Sequence, residues 1–304
     1  MQPREAQGID AAIDTACSDL ANAGYHILNA AIAAETILQL DSDLADRFVQ
    51  TPFCEGVFYG RRTKRFGSLL RRSPRAVDLI MQPAVLAIAN RILGPWCDRI
   101  VLNLTQAIEI HPGALAQYPH RDQDMWQGPK GGIEYLLNVV WPLSPFTADN
   151  GATRLWPCSP GDQTATPPAE PPIAIEMEPG SALLFLGSTL HGGGENRAGS
   201  VRRGVIISYC LGWLRSFENQ YLVYPPEIAR GFDPELAALV GYAQHRPNLG
   251  NVEGLCPSML LRSGTFDHLP ATDALRPDQA EALGAYVAEQ EAERAAARAG
   301  LMGG

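Results

Sequence analysis

At Ile100 the hydrophobic rhythm of this chain changes. Ile100, Leu102, Leu104, Ile108 and Ile110 alternate with Val101, Asn103, Thr105, Ala107 and Glu109, a period of two that fits a strand with one greasy face and one more polar face. Before it, 8–22, 32–48 and 76–93 carry apolar residues at three- and four-residue spacing and predict helices. Gly24-Tyr25-His26-Ile27-Leu28 is a short extended piece between the first two. After it, 133–141, 181–187 and 201–213 predict further strands between loops rich in Pro and Gly. From Asp273 an Ala/Glu/Arg-rich helix with little apolar surface is expected. Helices, then short strands, then helices imply an α+β to mainly β chain, with an antiparallel core and helical additions. Without repeats or a linker, one domain over 1–304 is expected: 1–98 mostly helical, 99–215 the β-core, and 216–304 C-terminal loops and a helix.

Composition narrows the partners. The net charge of −9 over 304 residues argues against nucleic acid. No run approaches the 18 or so apolar residues of a membrane span. The opening MQPREAQGIDAAIDTA has no apolar core, so no secretory leader is expected. Six scattered cysteines without a C-x-x-C fit reduced thiols in a cytoplasmic protein. Composition leaves a monomer and a homodimer both open.

The informative stretch is Gln117-Tyr118-Pro119-His120-Arg121-Asp122-Gln123-Asp124-Met125-Trp126. On an extended backbone His120 and Asp122 point to the same side and can offer an imidazole and a carboxylate to one metal ion. His-Arg-Asp also opens the protein-kinase catalytic loop, but Gln127 stands where that loop needs Asn, and there is no Asp-Phe-Gly. Spacing alone leaves His120 and Asp122 as a surface pair beside a turn. His191 lies 71 residues beyond His120, ending the strand Ala182–Gly187, and Arg202 lies 11 beyond His191, opening the strand 201–213. Two His and one carboxylate on one face of iron form the facial triad of non-haem Fe(II) oxygenases, with three positions left for other ligands.

In these residues the chain resembles the phytanoyl-CoA dioxygenase-like Fe(II)/2-oxoglutarate oxygenases. Gly24–Leu28 looks like the family's N-terminal Gly-Tyr-apolar segment, and Asn150-Gly151-Ala152-Thr153-Arg154 like its Asn-Gly segment. The stretches 117–126 and 241–254 look most like a branch that tailors secondary metabolites. The resemblance implies a double-stranded β-helix (a cupin-like jelly roll) with N- and C-terminal helices packed on it. It implies His120, Asp122 and His191 as iron ligands, Arg202 on the far carboxylate of 2-oxoglutarate, and Thr153 and Gln117 hydrogen-bonding the same co-substrate. With O2 the products would be succinate, CO2 and an oxidised small molecule, hydroxylated by default. One departure stands out: Pro157-Cys158-Ser159-Pro160 replaces the family's common Pro-Gly-Ser-His turn.

Other readings stay open at this point. The same triad could hold Zn or Mn in a cupin-type hydrolase or isomerase, or serve a non-catalytic ligand-binding barrel. Arg203 competes with Arg202, but on a strand the two face opposite ways. Trp126 reads as packing under the metal loop, and His26, His111, His245 and His268 fit neither ligand slot. From Arg61 to Arg75 seven cations stand without an acid. That run is either a solvated face or a lid that draws an anionic substrate, such as a secondary-metabolite intermediate, towards the metal.

Overall fold

The computed structural model describes residues 3–161, 170–262 and 269–302, so His268 lies outside the described residues. Chain contacts resolve two compact units, Met1–Gly241 and Tyr242–Gly304.

The first unit begins with helix α1 (Pro3–Ala23), strand β1 (Tyr25–Leu28) and helix α2 (Ala34–Gln50). In α2 the buried residues are Ile37, Leu40, Leu44 and Phe48, one apolar stripe at helical spacing. Strand β2 (Thr63–Phe66) comes next. The helix expected over 76–93 is two, α3 (Ala76–Ile80) and α4 (Pro83–Leu93). Pro83 lacks the N–H that would continue the first, while Gln82 caps the second by accepting from the Val85 N–H at 2.8 Å.

Among the described residues the remaining strands are β3 (Ile100–Ile110), β4 (Leu136–Pro142), β5 (Thr153–Leu155), β6 (Ile173–Ala174), β7 (Ala182–Leu186), β8 (His191–Gly193) and β9 (Arg202–Leu211). They form two antiparallel sheets, a large one in the order β1-β7-β4-β9-β3-β2 and a small one in the order β6-β5-β8. Leu155 and Ala152 of the small side pack with Val140, Leu183 and Phe185 of the large sheet, so the two face each other across one apolar cluster. This is the jelly-roll arrangement, with the second sheet reduced to short strands. Three short helices, α5 (Gln220–Val223), α6 (Pro226–Ala229) and α7 (Pro234–Val240), close the unit.

β3 departs from the simple picture of a greasy face buried and a polar face wet. Leu104, Ile108 and Ile110 look into a cavity, while Thr105 and Glu109 on the opposite face are buried. Glu109 is accommodated there because Arg203 Nε donates to it at 2.8 Å and His111 Nε2 lies at 2.5 Å. Pairing with β9 slips between Leu102 and Leu104. At this bulge buried Asn103 donates to Ser208 Oγ and accepts from the Phe217 N–H.

The second unit holds loops pinned by Asn248, Asn251 and their backbone partners, then α8 (Pro277–Met302), whose described side chains are nearly all exposed. Among the described residues no helix is long and apolar enough to cross a membrane.

Candidate metal and co-substrate site

Two chain segments carry the three expected ligands and meet edge to edge. His120 and His191 form an isolated antiparallel bridge, each N–H donating to the other's carbonyl at 2.9 and 3.0 Å. Beyond them the Gln117 N–H donates to Gly193 O at 2.9 Å, while the Gly193 N–H turns to the Gln117 side chain, donating to Oε1 at 3.2 Å. Arg121 is extended (φ −115°, ψ 125°), so His120 and Asp122 share one side and the Arg121 side chain goes to the other. His191 does not end β7 as the sequence suggested. Residues 187–190 turn the chain first, and His191 opens β8 in the other sheet. That turn lets it face His120 across the gap.

The imidazoles are held the same way. His120 Nδ1 lies 2.9 Å from Tyr118 O and His191 Nδ1 lies 3.1 Å from Thr189 O. A carbonyl only accepts, so both Nδ1 atoms carry a proton, and in the neutral ring Nε2 is then the atom with the lone pair. The Nε2 atoms lie 3.4 Å (His120) and 3.5 Å (His191) from the two Asp122 oxygens, and the ligand atoms all fall within 4.8 Å of one another. Two donors bound at right angles about 2.1 Å from one ion would be about 3 Å apart. The donors stand slightly wider than that, so one divalent cation would draw them in by a few tenths of an ångström or more. It is the metal-competent His/Asp/Glu/Cys group found among the described residues.

Electrostatics favour the ligating forms. Burial alone would raise the Asp122 carboxyl, but His191, His120 and the Asn138 amide, which donates to Oδ2 at 3.0 Å, outweigh it and hold it at about 2. Burial pushes His191 down to about 4, with Asp122 opposing only in part. A carboxylate and a neutral imidazole are what a divalent ion needs.

The inner cavity, about 130 Å³, is lined by the triad together with Gln117, Thr153 and Arg202, so all six expected residues meet there. Arg202 is buried, its guanidinium lies 3.5 Å from the Phe146 ring centre, and its Nε has no hydrogen-bond partner. Burial, then the nearby Arg65, pushes it down to about 9. Arg203 faces away, paired with Glu109 and, at 3.5 Å, with Asp41.

Several lining residues were not singled out by the sequence. Arg65, submerged in the basic run, is a second cavity cation: Nη1 donates to Gln106 Oε1 at 3.0 Å, Nε is unpartnered, and burial lowers its pKa. Neither Arg65 nor Arg202 has an ion pair among the described residues. Strand pairing is what sends Arg65 inward: β2 runs antiparallel to β3, with Arg65 opposite Ile108. Since 63–66 is hydrogen-bonded into the large sheet, it is not a free lid. Phe58 and Phe185 pack edge-on or tilted against His120 and His191, with ring centres at 4.9 and 4.5 Å. Trp126 stacks on Tyr135 and donates to Arg215 O, away from the cavity. A second cavity of about 670 Å³ adjoins the first, sharing Phe58, Tyr59, Arg65 and Gln117 and adding Arg61, Arg62 and Leu115 at its rim.

Two histidines and one carboxylate gathered beside Arg65 and Arg202 in a jelly roll make a metal-competent site. Residues 20–204 match the model of the family described as phytanoyl-CoA dioxygenase (PhyH), and the chain belongs to that family. It is 34% identical over 188 residues to dioxygenase trt7 of Aspergillus terreus, covering 60% of this chain and 65% of that one. Dioxygenase FrzG of a Cladobotryum species is 33% identical over 226 residues, covering 68% and 73%. The chain thus spans slightly under two thirds of trt7. Among solved structures, the epimerase SnoN from nogalamycin biosynthesis, in complex with Fe3+ and α-ketoglutarate, superposes with a TM-score of 0.56 at 14% identity, covering 67% of this chain and 85% of that one. HygX of Streptomyces hygroscopicus, with nickel and 2-oxoglutarate bound, gives 0.53 at 11%, covering 67% and 89%. At such identities the likeness is one of fold.

Proposed function

We propose that this protein is an Fe(II)- and 2-oxoglutarate-dependent oxygenase that hydroxylates a small organic molecule. One observation carries the reading: a His-Asp-His set, buried Arg202 and half-buried Arg65, neither arginine in an ion pair among the described residues, converge on one cavity. His120, Asp122 and His191 would hold the iron. Arg202 would grip the far carboxylate of 2-oxoglutarate, with Thr153 and Gln117 hydrogen-bonding it. Arg65 brings a second cation, and two guanidinium groups without ion-pair partners suit a dianion. When bound, iron with 2-oxoglutarate and O2 supplies the oxidising chemistry that ends in succinate, CO2 and an oxygenated product. The chain's own part is to orient the ligands, pin the co-substrate and shield the chamber with Phe58, Phe146 and Phe185.

The adjoining cavity is of a size usual for organic ligands, about 300–1,000 Å³. Its rim sets exposed Val57, Phe58 and Leu115 beside Arg61 and Arg62. That mixture supports a largely apolar substrate bearing an acidic group, as a secondary-metabolite intermediate can. The six free cysteines support a reducing compartment. The test is succinate production by the purified protein given Fe(II), O2 and 2-oxoglutarate. We expect succinate that requires iron and disappears in His191→Ala. Its absence from the wild type, with iron bound, would overturn the reading.

A further inference from the structure

Behind the metal centre, on the side the ligands turn away from, lies a second cluster of buried polar groups with no part in the cavity. Arg121, between two ligands in sequence, is buried and points there. Its Nε donates to Ser188 O at 3.0 Å and Nη2 to Ser159 O at 3.4 Å. Glu134 takes the same serine from its other end, accepting from Ser188 Oγ at 2.5 Å and from the Ser188 N–H at 3.2 Å. The Gln123 N–H donates to Gly187 O at 3.1 Å, and Ser159 Oγ accepts from the Leu190 N–H at 2.9 Å. Every residue of the turn 187–190 is thereby held, since Thr189 Oγ1 also donates to Gly24 O at 2.7 Å. The turn's Thr189 carbonyl is the acceptor that fixes the His191 Nδ1 proton.

We propose that Arg121 and Glu134 are positioning residues that hold the 187–190 turn in the one conformation that aims His191 Nε2 at the metal. Each acts through Ser188. If the turn rotates, the Thr189 carbonyl leaves Nδ1, and the imidazole loses both its orientation and its tautomer. Arg121 also ties the turn to the segment that bears His120 and Asp122, so one guanidinium keeps the two ligand-bearing pieces in register. Ser159 enters from the Pro157–Pro160 loop, where this chain departs from its family's usual turn. Cys158 there has φ +59°, and its N–H donates to Ala23 O at 2.9 Å.

This rests on the metal assignment above, and the test separates the two. Co(II) affinity is measured by chelator competition on the full-length apoprotein, read from the visible ligand-field spectrum. The set comprises wild type, His191→Ala, Arg121→Met, Glu134→Leu, Glu134→Gln and the core control Val85→Ala in α4. Loss of an outer partner of a metal-bound histidine weakens binding by about 10- to 100-fold, and Arg121→Met and Glu134→Leu should fall in that range with an altered Co(II) spectrum. Glu134→Gln, which can still accept from the Ser188 N–H, should recover most of it. Val85→Ala, destabilising but remote, should bind as wild type. Affinity unchanged in Arg121→Met and Glu134→Leu while His191→Ala loses it overturns the positioning role alone. Losses no larger than in Val85→Ala overturn it too. Equal affinity across all variants, His191→Ala included, overturns the metal site and this inference with it.

Discussion

Arg202 and Arg203 are neighbours in sequence with opposite surroundings. One lies over Phe146 with an unpartnered Nε in the cavity; the other is neutralised by Glu109 and Asp41 on the far face. Losing a buried charge pair costs about 3–5 kcal/mol, and Arg65 can compensate in part. Arg202→Ala should therefore raise the KM for 2-oxoglutarate by about 3 kcal/mol, on the order of a hundredfold. Arg203→Ala should leave that KM alone and lower thermal stability, because buried Glu109 loses the guanidinium that donates to it at 2.8 Å. Steady-state kinetics and a melting curve on each variant check both halves. Equal KM effects would mean that the β9 register is wrong.

At the scale of elements, the small sheet depends on close backbone approach. A Cβ built on Gly194, just past β8, would sit 2.6 Å from Ala152 O and 3.1 Å from Gly151, backbone atoms that cannot step aside as a flexible side chain would. Gly194→Ala should part β5 from β8. We expect a loss of about 1–3 kcal/mol by chemical denaturation, in line with overpacking, and weaker metal binding, because β8 starts at His191. Unchanged stability and affinity would show that the two strands have room to spare. This small sheet is also what was hardest to read from sequence. β3, β4, β7 and β9 announced themselves through long apolar or alternating runs, and α2 through its stripe. β5, β6 and β8 are two or three residues long, too short for any period, and exist because the large sheet offers them an apolar face. Spacing alone left His120, Asp122, His191 and Arg202 open; the family resemblance singled them out, and the fold brings all four to one cavity. Arg65 was not legible: in a run of cations nothing local distinguishes the one that strand pairing sends inward. Arg121 and Glu134 were equally hidden, since their partner is a turn that only the fold brings near.

For the molecule as a whole, the buried carboxyls set how stability responds to pH, and Glu134 isolates one contribution. Burial, opposed by the Ser188 hydrogen bonds, raises it from 4.5 to about 7. Between those values the folded protein holds a proton on Glu134 that the unfolded chain has released. Unfolding therefore releases that proton, and its contribution to stability falls as pH rises through the window. Asp41 and Glu218 are shifted the same way, while His191, held below its usual range, acts oppositely. A wild-type profile thus sums competing slopes and identifies none. The difference between wild type and Glu134→Gln cancels the shared groups. Gln titrates nowhere, so the variant should gain on the wild type as pH goes from about 4.5 to 7. The full shift would be worth about 3 kcal/mol, and partial solvent access reduces that to about 1–3 kcal/mol. Urea unfolding of the metal-free proteins at a series of pH values across that window measures it. A difference that stays flat with pH would mean that Glu134 ionises as freely in the fold as in the open chain.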